Sequence, residues 1–214
     1  WGMTETSPLG TTYSAHPNTD LTDYENTVRH KLFAGRRIFG VDMRIVDDEG
    51  NILPEDGEAE GHLHVRGPWI SSGYFKGVGQ DAFTQDGWFA TGDVSALHPD
   101  GFMEITDRSK DVIKSGGEWV SSIEVENAAS DHPDVAMAAC IGIAHKKWQE
   151  RPFLIVQAVP GKSPDIAEIK DCIAAKCAKW WLPDEIVFQD ALPLGATGKI
   201  LKRELKEIYK DRYL

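Results

Sequence analysis

Basic residues are outnumbered in this chain. Lysine and arginine total 23 against 34 aspartates and glutamates, a formal net charge of −11. That balance argues against a nucleic-acid footprint and against a polybasic membrane patch, and the acid excess serves solubility. Cysteine is scarcer still. Cys140, Cys172 and Cys177 are odd in number and lack a CxxC spacing, so they read as small thiols, buried or half-buried, in a reducing cytoplasm. No apolar run approaches the ~18 to 20 residues of a membrane helix, and no charged-then-apolar segment opens the chain. A membrane span and a secretory signal are therefore not expected. Metal-site spacing is missing too. His62 and His64 share one face of a strand without a third ligand and read as surface residues, while His16, His30, His98, His132 and His145 have no partner spacing. Internal repeats and low-complexity tracts are also missing.

What remains is a chain of 214 residues with 41% apolar content, enough for one large domain or two modest ones. It opens on WGMTETSPLGTTYSAHP, without an initiator methionine or an element start, which suggests a processed or fragmentary polypeptide. Residues 40–107 read as strands and turns: GVDMRIVDDEGN, GHLHVRGP and GFMEITD are short alternating runs bounded by Gly, Pro and Asp, the pattern of a small sheet or barrel. Beyond residue 120 the periodicity changes. Ser121 with Glu124 three residues on makes a capping box for a helix through about Ser130. VAMAACIGIA and PFLIVQAVP are buried strands, SPDIAEIKDCIAAKCAKWWLP a helix ending at Pro183, EIVFQ a short strand, and KILKRELKEIYKDRY an amphipathic basic helix. Alternating helices and strands predict a compact α/β domain, joined to the strand-rich part by the charged stretch DRSKDVIKSGG.

Four segments in order carry a resemblance: WGMTE, GWFATGD, DRSKDVIKSGGEWVSSIEVE and LPLGATGKILKREL. Together they resemble the adenylate-forming superfamily of acyl-CoA synthetases, peptide-synthetase adenylation domains and luciferases. GGEWVSS and WGMTETSP are most similar to the medium- and long-chain fatty-acyl-CoA ligases and the 3-methylmercaptopropionate-CoA ligases. The resemblance implies an α/β (α+β) fold. Residues 1–107 would end a large AMP-binding domain with its small β-barrel subdomain, and 108–214 would form the mobile C-terminal domain. It also implies a reaction in which a small-molecule carboxylate is joined to ATP, releasing pyrophosphate, and coenzyme A then displaces AMP.

The same resemblance supplies roles. Trp1, with Gly2, offers a face for adenine, the alternative being a core aromatic. Thr4 supplies a hydroxyl for a phosphate oxygen, and Glu5 a carboxylate for Mg²⁺, which needs only one or two from the protein. Asp93 accepts from the ribose hydroxyls, Ile105 joins the nucleotide set, Asp107 is the hinge and Arg108 contacts ribose or phosphate. Lys114 reaches the adenylate or CoA. Gly116 and Gly117 leave a narrow passage for pantetheine, with Trp119 as its wall or as inter-domain packing. Lys199, in the glycine loop GATGK, is the catalytic lysine of the first half-reaction. Lys202, Arg203 and Lys206 read as plain helix surface. The phosphate loop and acyl pocket would lie upstream of Trp1 in about 300 further residues. The chain is therefore expected to need that region of the same polypeptide for catalysis. A homodimer is allowed, and a non-catalytic nucleotide-binding or interaction fragment is the alternative reading.

Overall fold

The computed structural model describes residues 1–14 and 22–213, so His16 lies outside the described residues. The chain divides into two compact units, Trp1–Ser109 and Lys110–Leu214. The division falls two residues beyond the expected 107/108 junction, because Asp107 and Arg108 still pair with Val94 and Asp93 in a β-ladder.

The first unit has elements where the sequence suggested none. A 3₁₀ turn covers Thr4–Thr6, β1 (Thr11–Thr12) pairs antiparallel with β2 (Arg36–Arg37), and helix α1 spans Tyr24–Leu32. Then come β3 (Asp42–Val46), β4 (Glu60–Arg66), β5 (Phe89–Leu97) and β6 (Met103–Arg108), an antiparallel meander in that order. Among the described residues these four strands form one antiparallel sheet, the first of the two arrangements, sheet or barrel, that the alternation predicts. Its period-2 alternation sends Met43, Ile45, Leu63 and Val65 into one core with Phe89, Leu97 and Met103. His62 and His64 point to the opposite face of β4.

The second unit begins with a tight hairpin, β7 (Ile113–Ser115) and β8 (Glu118–Val120), followed by α2 (Ser122–Ser130). The Ser121 hydroxyl caps α2 by accepting from the Glu124 N–H, as the capping box predicts. β9 (Val135–His145) and β10 (Gln149–Ala158) form a long antiparallel pair, and β11 (Glu185–Phe188) joins β10 in parallel. These strands are continuous apolar runs because both faces are covered. Cys140, Leu154 and Val156 face α2 and α3 (Ile166–Lys176), while Ile141, Ile143, Phe153 and Ile155 face α4 (Lys202–Tyr209) through Leu205.

Two helix ends differ from expectation. α3 stops at Lys176 and not at Pro183, since Cys177 is extended and Cys177, Trp181 and Leu182 fold back onto the core. Leu182, held at ψ 130 before Pro183, is likewise barred from helix. α4 begins only at Lys202, because Leu194 and Ile200 bridge across a turn in which Gly198 has φ +77. Among the described residues no helix is long and apolar enough to cross a membrane. The three cysteines are free thiols, Cys140 buried and the others partly so.

Candidate functional site

In the first unit the predicted residues converge. The half-buried Trp1 packs against the core and lies directly on Gly10, where a Cβ would meet its ring at 2.2 Å. Its indole Nε1 donates to Asp93 Oδ2 at 3.0 Å across 92 residues of sequence. Asp93 is aimed by a kink in β5: Gly92 takes φ +79, and the Thr91 hydroxyl accepts from the Asp93 N–H while donating to the Leu63 carbonyl. Arg108 stands opposite Asp93 in the ladder, its Nε 3.9 Å from Oδ1. Ile105 packs partly against the core in the same strand. Asp107 is 1% exposed and takes the Arg108 N–H at 2.7 Å, so the expected hinge residue is a buried strand carboxylate in this conformation.

The WGMTE turn is built by close approach. A Cβ on Gly2 would sit 2.0 Å from the Pro8 carbonyl oxygen, so its glycine is required by packing within the turn. Buried Thr6 receives the Met3 N–H and donates to the Pro8 carbonyl. This leaves Thr4 exposed and Glu5 half-buried. Glu5 Oε1 accepts the Tyr74 hydroxyl at 2.6 Å, and that bond pushes the phenol's pKa up from its ordinary value. Among the described residues no group of three His, Cys, Asp or Glu could hold a metal. Glu5 thus offers a single carboxylate. That suffices for a magnesium ion that takes its other ligands from water and substrate phosphates.

In the second unit KSGGEWVSS is the β7–β8 hairpin. Gly116 (φ +66) and Gly117 (φ +91) form its two-residue turn, in which both central residues need positive φ. The glycine pair therefore has a backbone reason independent of any passage for pantetheine. Lys114 and Trp119 pair across the hairpin, with Nζ 5.6 Å from the ring centroid.

Sequence reasoning missed the neighbouring cleft. It occupies about 650 Å³ and is lined by Ser115, Gly116, Glu118, Trp148, Arg151, Trp180 and Asp184. Trp148 and Trp180 are 41% and 42% exposed, and Trp148 lies over Gly116, whose N–H it takes through its carbonyl. All five Arg151 donors are used, on Asp184, the Ser115 hydroxyl and the carbonyls of Trp180 and Leu182. Arg151 braces the cleft wall and has no N–H to give a ligand. Trp148, a lone aromatic in the polar run HKKWQE, was a signal available, whereas Trp180 reads as part of the apolar run KWWLP.

Lys199 stands on a separate loop. Gly195 N–H bonds the Lys199 carbonyl at 2.8 Å and Leu201 N–H the Pro193 carbonyl at 2.8 Å, closing a small hairpin. Buried Leu192 and Leu205 anchor its two ends. The Lys199 side chain is exposed and, among the described residues, meets no carboxylate. Lys202, expected at the surface, is instead largely buried: its Nζ lies 2.7 Å from Glu126 Oε1 and 2.6 Å from the Ser122 hydroxyl. Several histidines also have carboxylate partners far away in sequence. His62 contacts Asp48 and Ser109, buried His132 contacts Glu168, and half-buried His64 has its pKa lowered by burial first and by Arg44 second.

Two successive units, a β-meander that ends in the Asp93–Arg108 pair and a five-stranded α/β unit that presents Lys199 on a loop, have the architecture of the C-terminal region of adenylate-forming enzymes. The family described as AMP-binding enzyme matches residues 1–75, and the AMP-binding enzyme C-terminal domain matches 124–199. The chain belongs to this adenylate-forming, AMP-binding superfamily. It is 52% identical to a 3-methylmercaptopropionyl-CoA ligase of Ruegeria lacuscaerulensis, covering 99% of this chain and 39% of the relative. A medium-chain-fatty-acid–CoA ligase of Ectopseudomonas oleovorans is 46% identical, with 99% and 38% covered. The structure of o-succinylbenzoate CoA synthetase from Bacillus subtilis, in complex with its acyl-adenylate intermediate, superposes with a TM-score of 0.80 at 31% identity, over 96% of this chain and 40% of that one. The chain thus spans about two fifths of the length of the relatives it matches.

Proposed function

We propose that this chain is the C-terminal part of an AMP-forming acid:CoA ligase. In the first half-reaction a carboxylate oxygen attacks the α-phosphorus of ATP and pyrophosphate leaves. In the second the CoA sulfur attacks the acyl carbon, AMP leaves and the thiol proton goes to solvent or base. The observation that carries the reading is the Trp1–Asp93 hydrogen bond, with Arg108 opposite. It unites a flat aromatic surface, an acceptor for a cis-diol and a cation, which are the three chemistries of a nucleoside phosphate. Arg108 serves ribose or phosphate, and Thr4 a phosphate oxygen. Glu5, with one oxygen held by Tyr74, contributes a carboxylate to Mg²⁺, whose chemistry when bound is to neutralise phosphate charge.

Lys199 is the residue for the acyl carboxylate and the charge developing on it. Its exposed ammonium, on a loop anchored at both ends, supports that role. Asp107 is the pivot between units. Trp148 and Trp180 give the CoA adenine two indoles against which to stack, beside the hairpin of Lys114, Gly116 and Trp119. The relatives' names favour a fatty acid or a short thioether acid such as 3-methylmercaptopropionate as substrate. The cytoplasm supplies both ATP and CoA and is the compartment we assign to the reaction.

The test is ATP–pyrophosphate exchange by the complete enzyme over a panel of carboxylic acids, followed by thioester formation with CoA. Exchange stimulated by one class of acid, with thioester released only when CoA is added, is expected. A complete enzyme that binds ATP but activates no acid would instead establish the non-catalytic reading.

A further inference from the structure

We infer that Lys202 is a positioning residue that locks the Lys199 loop to helix α2, the helix that begins where the Gly116–Gly117 hairpin ends. Composition gives no hint of this, since Lys202, Arg203 and Lys206 all lie in one basic helix. Their surroundings separate them. Arg203 is exposed, and Lys206 bonds the Lys110 carbonyl at the surface. The Lys202 side chain is 12% exposed and its Glu126 partner 16%. Glu126 Oε1 also accepts the Cys140 N–H at 2.7 Å, so the carboxylate is itself fixed to strand β9. Ser122 and Glu126 are four residues apart and lie on one face of α2, so a single ammonium bridges both.

The position in sequence gives this clamp its consequence. Lys202 is the first residue of α4, directly after the Leu201 N–H that closes the Pro193–Leu201 loop. Lys199 lies three residues upstream, at the exposed end of that loop. A charge pair removed from water holds its geometry only if both partners stay paired, because stranding one of them is costly. The loop that presents Lys199 is therefore fixed on one side by Leu192 and on the other by Leu205 and the Lys202 clamp. α2 in turn is held by the Ser121 cap directly after β8. The two functional loops of the second unit, one for each half-reaction, share this anchor.

The inference rests on the role proposed for Lys199, and two independent readouts separate them. In the complete enzyme, Lys202→Met is expected to raise the rate of native-state trypsin cleavage after Lys199 about tenfold. It should lower kcat of ATP–pyrophosphate exchange about tenfold with KM for ATP within about twofold, as expected when a group that acts in the transition state is misplaced. Lys202→Arg retains the bridge and should restore most of both. The double variant Glu126→Gln/Lys202→Met relieves the stranded carboxylate while its amide oxygen still accepts from Cys140 N–H. It should melt near the wild-type temperature yet keep both defects. Unchanged cleavage and exchange in Lys202→Met would overturn the inference, as would their recovery in the double variant. If the wild type exchanges with no acid, the functional reading fails instead, and the cleavage rates still decide whether Lys202 holds the loop.

Discussion

Gly116 and Gly117 are neighbours with the same backbone demand and different surroundings, which makes them a controlled pair. At φ +66 and +91, alanine at either position strains the hairpin turn by about 1 kcal/mol. A Cβ on Gly117 would meet nothing within 4 Å, whereas on Gly116 it would lie 2.8 and 3.2 Å from two ring atoms of Trp148. Gly116→Ala must therefore push the indole out of place, and Gly117→Ala need not. If Trp148 stacks on the CoA base, losing that contact removes about 1–3 kcal/mol, or about 5- to 150-fold in apparent affinity. Both variants should lower the melting temperature of the second unit by about 4–8 °C per kcal/mol lost. The assay is thioester formation from preformed acyl-adenylate, titrated with CoA in the complete enzyme. Gly116→Ala should raise KM for CoA at least fivefold and leave ATP–pyrophosphate exchange within twofold. Gly117→Ala should raise KM for CoA less than twofold. Equal shifts in the two variants would show that turn strain, and not Trp148, sets CoA affinity, and would refute the cleft as its site.

Lys199→Ala, which deletes an exposed ammonium, should slow adenylation 10²- to 10³-fold, about 3–4 kcal/mol by analogy with loss of one oxyanion donor. Thioester formation from preformed acyl-adenylate should stay within a few-fold, and an equal loss in both half-reactions would remove Lys199 from its assigned role. His64 gives a pH test. Burial lowers its folded-state pKa below the ordinary 6.5, so the neutral ring is the form the fold favours. Its contribution is complete above pH 6.5 and is lost as pH falls through the folded-state value. The first unit should melt progressively lower as pH falls below about 6.5, with part of that slope removed in His64→Gln. A slope identical in His64→Gln would exclude this histidine as its source.

Much of the second unit was legible because its signals are local. Ser121 and Glu124 mark a helix start by themselves, and β9 and β10, covered on both faces, show as unbroken apolar runs. Where the sequence misleads, a distant partner decides. The apolar spacing of α3 continues through Trp180–Trp181–Leu182, yet those residues fold back onto the core and end the helix early. The first forty residues hold α1 and a small ladder whose pairing, Thr11 with Arg37, spans a stretch that no periodicity connects. The resemblance put Trp1 and Asp93 in one functional set. Only the fold supplies the hydrogen bond between them.

The cations show why residue type alone falls short. Lys199, Lys202 and Arg151 are interchangeable to a reading of charge, but their donors have different destinations. Arg151 uses five N–H groups on a carboxylate, a hydroxyl and two carbonyls, and Lys202 is enclosed by Glu126 and Ser122. Anionic substrate offered to either would have to displace a partner already matched in charge or geometry, at the cost of stranding it. Lys199 is exposed and, among the described residues, pairs with no carboxylate. Its ammonium can leave water for a carboxylate at the desolvation cost of one side chain. In the proposed reaction the exposed lysine on its anchored loop is thus the cation best placed for the substrate carboxylate, while the Lys202 donors are committed to α2 and those of Arg151 to the wall of the tryptophan cleft.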